Sequence, residues 1–211
     1  MSHPSRNSFL SLPLPEGIEL IEILQQVQQS LRQACQDHAA ALRYATLASR
    51  DLQGEADART LVLRSAGEAA GRLRFFSDSR APKVAQLRAH PRCTLVFLSP
   101  TEGLQYRFTG QAQIHQDTAE LTQLWHQLPV SGRFNYLTRL SPGERLEQSD
   151  DSRAPASDPP AADRSDPPSH FAAIDVVIDS LDWLQLGRTH HHRARFDWRA
   201  EAGCEASWIT A

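Results

Sequence analysis

Lysine is almost missing from this chain. Of its 22 Lys and Arg residues, Lys83 is the single lysine, which leaves 21 arginines. Codon usage can produce such a bias. Yet an ammonium is a compact point charge and a guanidinium a planar fork, so a site that wants a point charge on a phosphate resists the exchange. Cysteine is scarce as well. Cys35, Cys93 and Cys204 are odd in number, widely spaced and without a CxxC pair, which supports neither a disulfide framework nor a thiolate metal site and fits a reducing cytoplasm. No apolar run approaches the roughly 18 residues of a membrane span, and the opening MSHPSRNSFLSLPLPEG lacks the apolar core of a signal peptide. A cytoplasmic protein with no membrane partner is expected. GxGxxG, GxxxxGK(S/T), GxSxG and HExxH are all missing, which removes the usual support for dinucleotide-binding, P-loop, serine-hydrolase and zincin readings.

What the sequence does hold is ordinary globular composition: 211 residues, 40% hydrophobic and 22% charged, with a formal net charge of -3. That length buries one substantial core, and the chain reads as one domain over 1–211. A weakly acidic chain is a poor match for nucleic acid or a membrane surface. The local balance differs, because from Arg59 to Arg107 nine basic residues stand against three acids. A field of that sign suits a small anionic ligand.

Segment 16–39 spaces Leu20, Leu24, Val27, Leu31 and Ala34 three and four apart, the stripe of an amphipathic helix. The period then changes. RYATLAS, RTLVLRS, RLRFFSD, CTLVFLS and GLQYRFTGQAQIH are short runs rich in Thr, Val, Phe and Tyr, separated by turn residues, and they read as a meander of antiparallel strands. APKVAQLRAHP interrupts them with a short helix that has Pro82 in its first turn and ends before Pro91, so Lys83 falls at a helix N-terminus. A further helix is expected over 117–128, and a short one within SGRFNYLTRL. From 141 to 168 proline, acids and serine displace large apolar side chains, the composition of a disordered insert. FAAIDVVIDSLDWLQL, RARFDWRAE and EASWITA then resume β character. The sum is a mainly β fold, an antiparallel barrel of roughly six to eight strands with helices flanking its rims.

Ser77, Ser79, Arg80 and Lys83 fall where a strand gives way to a helix, so hydroxyls, free N–H groups and a helix dipole can face one anion. Arg59 opens the neighbouring strand. A solvated basic surface beside a capped helix accounts for the same residues, and charge alone does not decide between them. His190, His191 and His192 are consecutive, so on a strand at most two converge on one ion. A polar hairpin near Gly187 explains them without a metal. Trp125 reads as helix packing, and Trp198 and Trp208 as barrel or dimer core.

Taken in order, RTLVLR (59–64), LRFFSDSRAPKVAQLRAHPRCTLVF (73–97), LQYRFTGQAQ (104–113) and the late DWLQLGRTHHHRARFDW resemble the pyridoxamine 5'-phosphate oxidase family. Its fold is a split barrel of antiparallel, Greek-key type that binds flavin mononucleotide (FMN). The resemblance covers nearly the whole chain outside the first residues and the insert. It is strongest to the oxidase-related branch whose members are often of unproven activity. It implies Arg59 as a phosphate ligand, the Thr60, Leu61, Val62, Leu63 and Arg64 stretch as a rail along the flavin, and Phe76, Ser77 and Lys83 as the next contacting block. The lone lysine is then an ion-pair partner for the FMN phosphate. Gln105 matches the glutamine that hydrogen-bonds the ring, while Trp183 and Arg195 fall near the tryptophan and arginine of its pyrimidine end. A cation there favours hydride acceptance at N5, which makes Arg195 the catalytic candidate. Arg64, His191 and Arg193 match positions that contact substrate. The resemblance also implies a homodimer with FMN at the subunit interface, which covers open strand edges.

The departures from the family narrow the expectation. Its second basic residue in the phosphate block is Pro82 here, with Arg80 substituting from two residues upstream. Arg64 stands where the oxidase has a lysine. The residues that hold substrate phosphate on the later helix fall near Leu124, Leu128 and Gly132, none of which can do that job. The expected activity is hydride transfer from a small substrate, a B6 vitamer being one option, to FMN with reoxidation by oxygen. Alternatives are a non-catalytic flavin-binding or flavin-sensing dimer and the same barrel loaded with deazaflavin or haem. More remote is a nucleic-acid module using Phe75, Phe76 and Tyr106 as a stacking platform, against which the acidic net charge argues.

Overall fold

The computed structural model describes residues 18–116, 119–146, 166–187, 189–199 and 203–211. Helix α1 (Leu20–Gln36) buries Ile23, Leu24, Val27, Leu31 and Ala34, and this stripe joins the core of a barrel. Arg43 ends the helix. Its guanidinium donates to the carbonyls of Ala34 at 3.2 Å and Cys35 at 3.0 Å, where the helix dipole favours a cation.

Strands β1 (Tyr44–Arg50), β2 (Ala56–Ala66) and β3 (Arg72–Asp78) form a meander. Helix α2 (Pro82–Ala89) then tucks Val84 and Leu87 into the core and carries the chain to β4 (Arg92–Ser99), which pairs with β1. The continuous meander expected from the strand runs is therefore broken at α2, whose buried face takes the chain past β2. Strand β5 (Leu104–His115) pairs with β4, and the 15-residue β6 (Phe171–Gln185) pairs with both β5 and β3. That second pairing closes a six-stranded barrel in the order β3-β2-β1-β4-β5-β6. Strands β7 (His192–Arg199) and β8 (Gly203–Trp208) extend outward from the far half of β6.

The β5–β6 ladder slips one residue between Thr109 and Gly110. At that point the two backbones touch: a Cβ on Gly110 would stand 2.1 Å from the Val177 carbonyl oxygen. Only glycine fits such an approach.

Outside the barrel, α3 (Ala119–Gln127) lays Leu121 and Trp125 against β6, and α4 (Val130–Arg133) leads into a 3₁₀ turn that buries Tyr136. Phe171 is the hub of this outer layer. Its ring meets Phe76, Trp125 and Tyr136 edge-on at centroid separations of 5.2, 5.2 and 5.1 Å, a favoured arrangement for aromatic pairs. An ion cluster pins the layer, since Arg74 grips the fully buried Asp175 at 2.6 and 2.7 Å and reaches Glu120 on α3 at 2.5 Å. The disorder expected across 141–168 falls mostly on residues 147–165, which lie outside the described residues. Among the described residues no helix is long and apolar enough to cross a membrane.

Candidate functional site: a polar end of the barrel

Inward positions on the first three strands are apolar through most of their length and turn polar at one end. On β1 the series runs Ala45, Leu47, Ser49; on β2 it runs Leu63, Leu61, Arg59; on β3 it runs Leu73, Phe75, Ser77. Helix α2 adds Lys83 and Gln86 to the same end. Arg59 donates to Ser49 Oγ at 2.6 Å, to Asp57 at 2.5 Å and to Gln86 Oε1. Gln86 Nε2 in turn donates to Asp57 at 2.9 Å, so the Asp57 carboxyl is held below its ordinary range by Gln86 and then by Arg59.

Lys83 stands apart from this network. Its ammonium donates only a long hydrogen bond, 3.4 Å, to the buried Ser77 hydroxyl, and it makes no ion pair among the described residues. Burial lowers its pKa, and the charge of Arg59 lowers it further, against a smaller opposing pull from Asp78. Two cations thus share a half-buried mouth, Arg59 paired with Asp57 and Lys83 only drawn by the charge of Asp78. The chemistry of this donor set fits a phosphate monoester: an ammonium, a guanidinium and a hydroxyl, at the N-terminus of an eight-residue helix.

Beside the mouth the barrel wall is split. The β2–β3 ladder runs only from Leu63 paired with Phe75 to Ala66 paired with Leu73, with a slip between Leu63 and Ser65. Thr60, Leu61 and Val62 pair with β1 on one side and have no β3 partner on the other. Backbone amides along an open edge of this kind suit a flat, polar heterocycle. Phe76 flanks the same opening, with the Arg64 guanidinium over its ring at 5.6 Å.

The other residues singled out by sequence are placed elsewhere. Arg80 is engaged by Asp78 at 2.5 Å and by the carbonyls of Thr138 and Arg139 at 3.0 and 3.1 Å, so it braces the chain that follows α4. Register links Arg59 through Leu47 and Leu95 to Phe108. Gln105 therefore sits three strands across and three residues along, about 17 Å away at ordinary strand spacing. Trp183 is 3% exposed, a core residue whose ring meets Trp208 edge-on at 6.4 Å. On the outward face of β6 and β7, Arg193 and Arg107 both pair with Asp182, and Arg195 pairs with Asp197 at 2.8 Å. His191 accepts from the Gly187 amide at 3.2 Å in the exposed turn before β7. Among the described residues no three His, Cys, Asp or Glu side chains gather to hold a metal.

Sequence reasoning missed Ser49, Asp57 and Gln86. The signal for Gln86 is legible in retrospect, as a polar residue three positions after Lys83 on the helix face shared by Val84 and Leu87. Ser49 and Asp57 carry no such mark, since their part depends on the β1–β2 register.

The sequence model of the pyridoxamine 5'-phosphate oxidase family matches residues 31–147. No curated protein matches the chain. Among solved structures, a pyridoxamine 5'-phosphate oxidase-related, FMN binding protein from Nostoc punctiforme is 20% identical, with a TM-score of 0.69 over 89% of this chain and 96% of that one. PhzG from Burkholderia lata, solved with tetrahydrophenazine-1-carboxylic acid, is 18% identical, with a TM-score of 0.73 over 92% and 93%. A Clostridium acetobutylicum protein related to general stress protein 26 is 10% identical, with a TM-score of 0.52 over 82% and 93%. The likeness to these structures is one of fold, and with the family match over more than half of the sequence the chain belongs to the pyridoxamine 5'-phosphate oxidase-related, FMN-binding split-barrel family.

Proposed function

We propose that this chain is an FMN-dependent oxidoreductase acting on a small substrate as a homodimer. The observation that carries the cofactor assignment is Lys83, a half-buried ammonium without an ion pair beside a second cation. In this reading Lys83, Arg59 and Ser77 hold the FMN phosphate, while the open β2 edge at Thr60–Val62 and the Phe76 ring line the flavin. Bound there, FMN supplies a two-electron acceptor that takes hydride at N5 and passes electrons to oxygen.

Gln105 lies about 17 Å from Arg59 round the barrel at ordinary strand spacing, and Arg195 lies on β7, outside the closed six strands. In this reading a second copy would supply them to the site, at a dimer interface. Tyr44 on β1 and Leu98 on β4 are each 49% exposed on the outward wall that such a partner would cover. The free cysteines Cys35, Cys93 and Cys204 support a reducing, cytoplasmic setting.

One observation favours the non-catalytic alternative, a flavin-sensing dimer. Arg195, the candidate for stabilising charge at the pyrimidine end, already has Asp197 as its partner at 2.8 Å. Anaerobic mixing of the FMN-loaded protein with pyridoxamine phosphate tests the B6 option: bleaching of the yellow colour supports turnover of that substrate, and retained colour at full occupancy points to another substrate or to sensing. The cofactor assignment is tested first. The purified protein is expected to be yellow and to release FMN on denaturation, and Lys83→Ala should weaken FMN binding by about 1.5 to 3 kcal/mol, roughly tenfold to a hundredfold in Kd, the range for a lost charge-assisted contact. An unchanged Kd removes Lys83 from the site.

A further inference from the structure

Outside the barrel, between the C-terminal end of α1, the outward face of β2 and β3, and α3, lies a cavity of about 340 Å³. Arg43, Arg64 and Arg74 all line it. Two of these guanidiniums are already spent. Arg43 is buried against the last carbonyls of α1, and Arg74 is neutralised by Asp175 and Glu120. Arg64 has no acid partner among the described ion pairs. It lies over Phe76, its charge and hydrogen bond reach the buried Tyr136 hydroxyl, and its Nε is buried without a hydrogen-bond partner.

Phe76, Leu124, Leu128 and Pro129 form an apolar side of the lining, and Ser65 and Gln127 add neutral polar groups. Cys35 also borders the cavity, and burial pushes its thiol up, so it adds no anion at neutral pH. His38 stands at the exposed rim. The cavity therefore presents one guanidinium with no acid partner among the described residues, beside an apolar and aromatic wall and two neutral polar side chains. Phe76 ties it to the flavin opening, since it is adjacent in sequence to Ser77 of the phosphate mouth and lines both spaces.

We infer that this cavity is the substrate pocket and that it selects a small, flat, apolar molecule bearing a single carboxylate, held by Arg64. The assignment of the cavity to substrate rests on the flavoenzyme reading above; the charge selectivity does not. A guanidinium matches a carboxylate in a bidentate fork, whereas a neutral amide offers one acceptor oxygen, turns an N–H donor towards the other arm of the fork and leaves the charge unanswered. A dianionic phosphate ester brings a second negative charge that no free cation in the cavity answers, and Leu124 and Leu128 cannot hydrogen-bond its oxygens.

Calorimetric titration with benzoate, benzamide and phenyl phosphate near pH 8, where the ester is a dianion, tests this on FMN-loaded and FMN-free protein alike. Benzoate is expected to bind at least tenfold tighter than either of the others. Arg64→Met should remove its advantage over benzamide, and Leu124→Arg, at a half-buried position, should turn the preference towards phenyl phosphate. If Arg64→Met does not fold, the Leu124→Arg titration decides. No binding of benzoate, equal binding of benzoate and benzamide, tighter binding of phenyl phosphate by the unaltered protein, or an unaltered preference in Leu124→Arg overturns the inference. Benzoate selectivity in a protein that takes up no FMN would instead sink the cofactor assignment and leave the selectivity standing.

Discussion

A half-buried ammonium with no ion pair destabilises the chain that carries it until an anion arrives. Burial and Arg59 set the pKa of Lys83 below its ordinary 10.5, so the unfolded chain binds this proton more tightly than the folded one. The sign follows from linkage. Between the depressed value and 10.5 the unfolded chain holds more protons, and the ligand-free protein gains stability as pH rises through that window. Below the window the penalty is complete. Lys83→Met is therefore expected to raise the Tm of FMN-free protein at neutral pH and to flatten the alkaline rise, while the same substitution loosens FMN. Thermal melts across that pH range, with and without FMN, check both halves, and a lower Tm for the FMN-free variant would show that the cation is satisfied by the protein alone. Arg59, Ser77 and Lys83 were legible in the sequence because their order along the chain carries the signal. For Trp183, matched by spacing to a ring-contacting tryptophan, alternation along β6 sets the side chain in the core beside Trp208 in the single chain.

At the scale of elements, the contact that most constrains the barrel is the approach of β5 to β6. Gly110→Ala would drive a methyl group into the Val177 backbone, with 2.1 Å available to the carbonyl oxygen, and neither partner is a flexible side-chain tip. A cost of about 3 kcal/mol or more is expected, at or beyond the upper end for overpacking a core, read as a fall in the denaturant midpoint; a change under about 1 kcal/mol would mean that the bulge can slide. The strands themselves were readable, since period-two burial runs along β1, β3, β4 and β5, although the first half of β6 is covered on both faces. Their pairing was less so. That β4 leaves β3 and joins β1 follows from the burial of Val84 and Leu87 on α2, a tertiary fact that an eight-residue helix with two prolines nearby does not announce.

For the molecule as a whole, the proposed dimer turns on the outward wall around Tyr44 and Leu98. Leu98 is half exposed and supports no core in the single chain, so Leu98→Glu should leave the fold intact while placing a charge in the proposed interface. Light scattering after gel filtration is expected to report a monomer, and FMN affinity should fall at least tenfold because the partner's share of the site is lost. A dimer that survives the substitution would move the interface to another face. The described residues form one barrel core with an outer aromatic layer. No spacing rule foretold that layer, because Phe76, Trp125, Tyr136 and Phe171 are scattered over nearly a hundred positions and meet only after β3 and β6 have paired.

That late pairing has a bearing on synthesis. When a ribosome has delivered β1 to β5, the sheet still has two bare amide edges, on β3 and β5, and the one strand that seals both begins at Phe171. Elongation from His115 to Phe171 takes roughly 3 to 11 s at 5 to 20 residues per second. During that interval the two unpaired strand edges are open templates for neighbouring chains on the polysome.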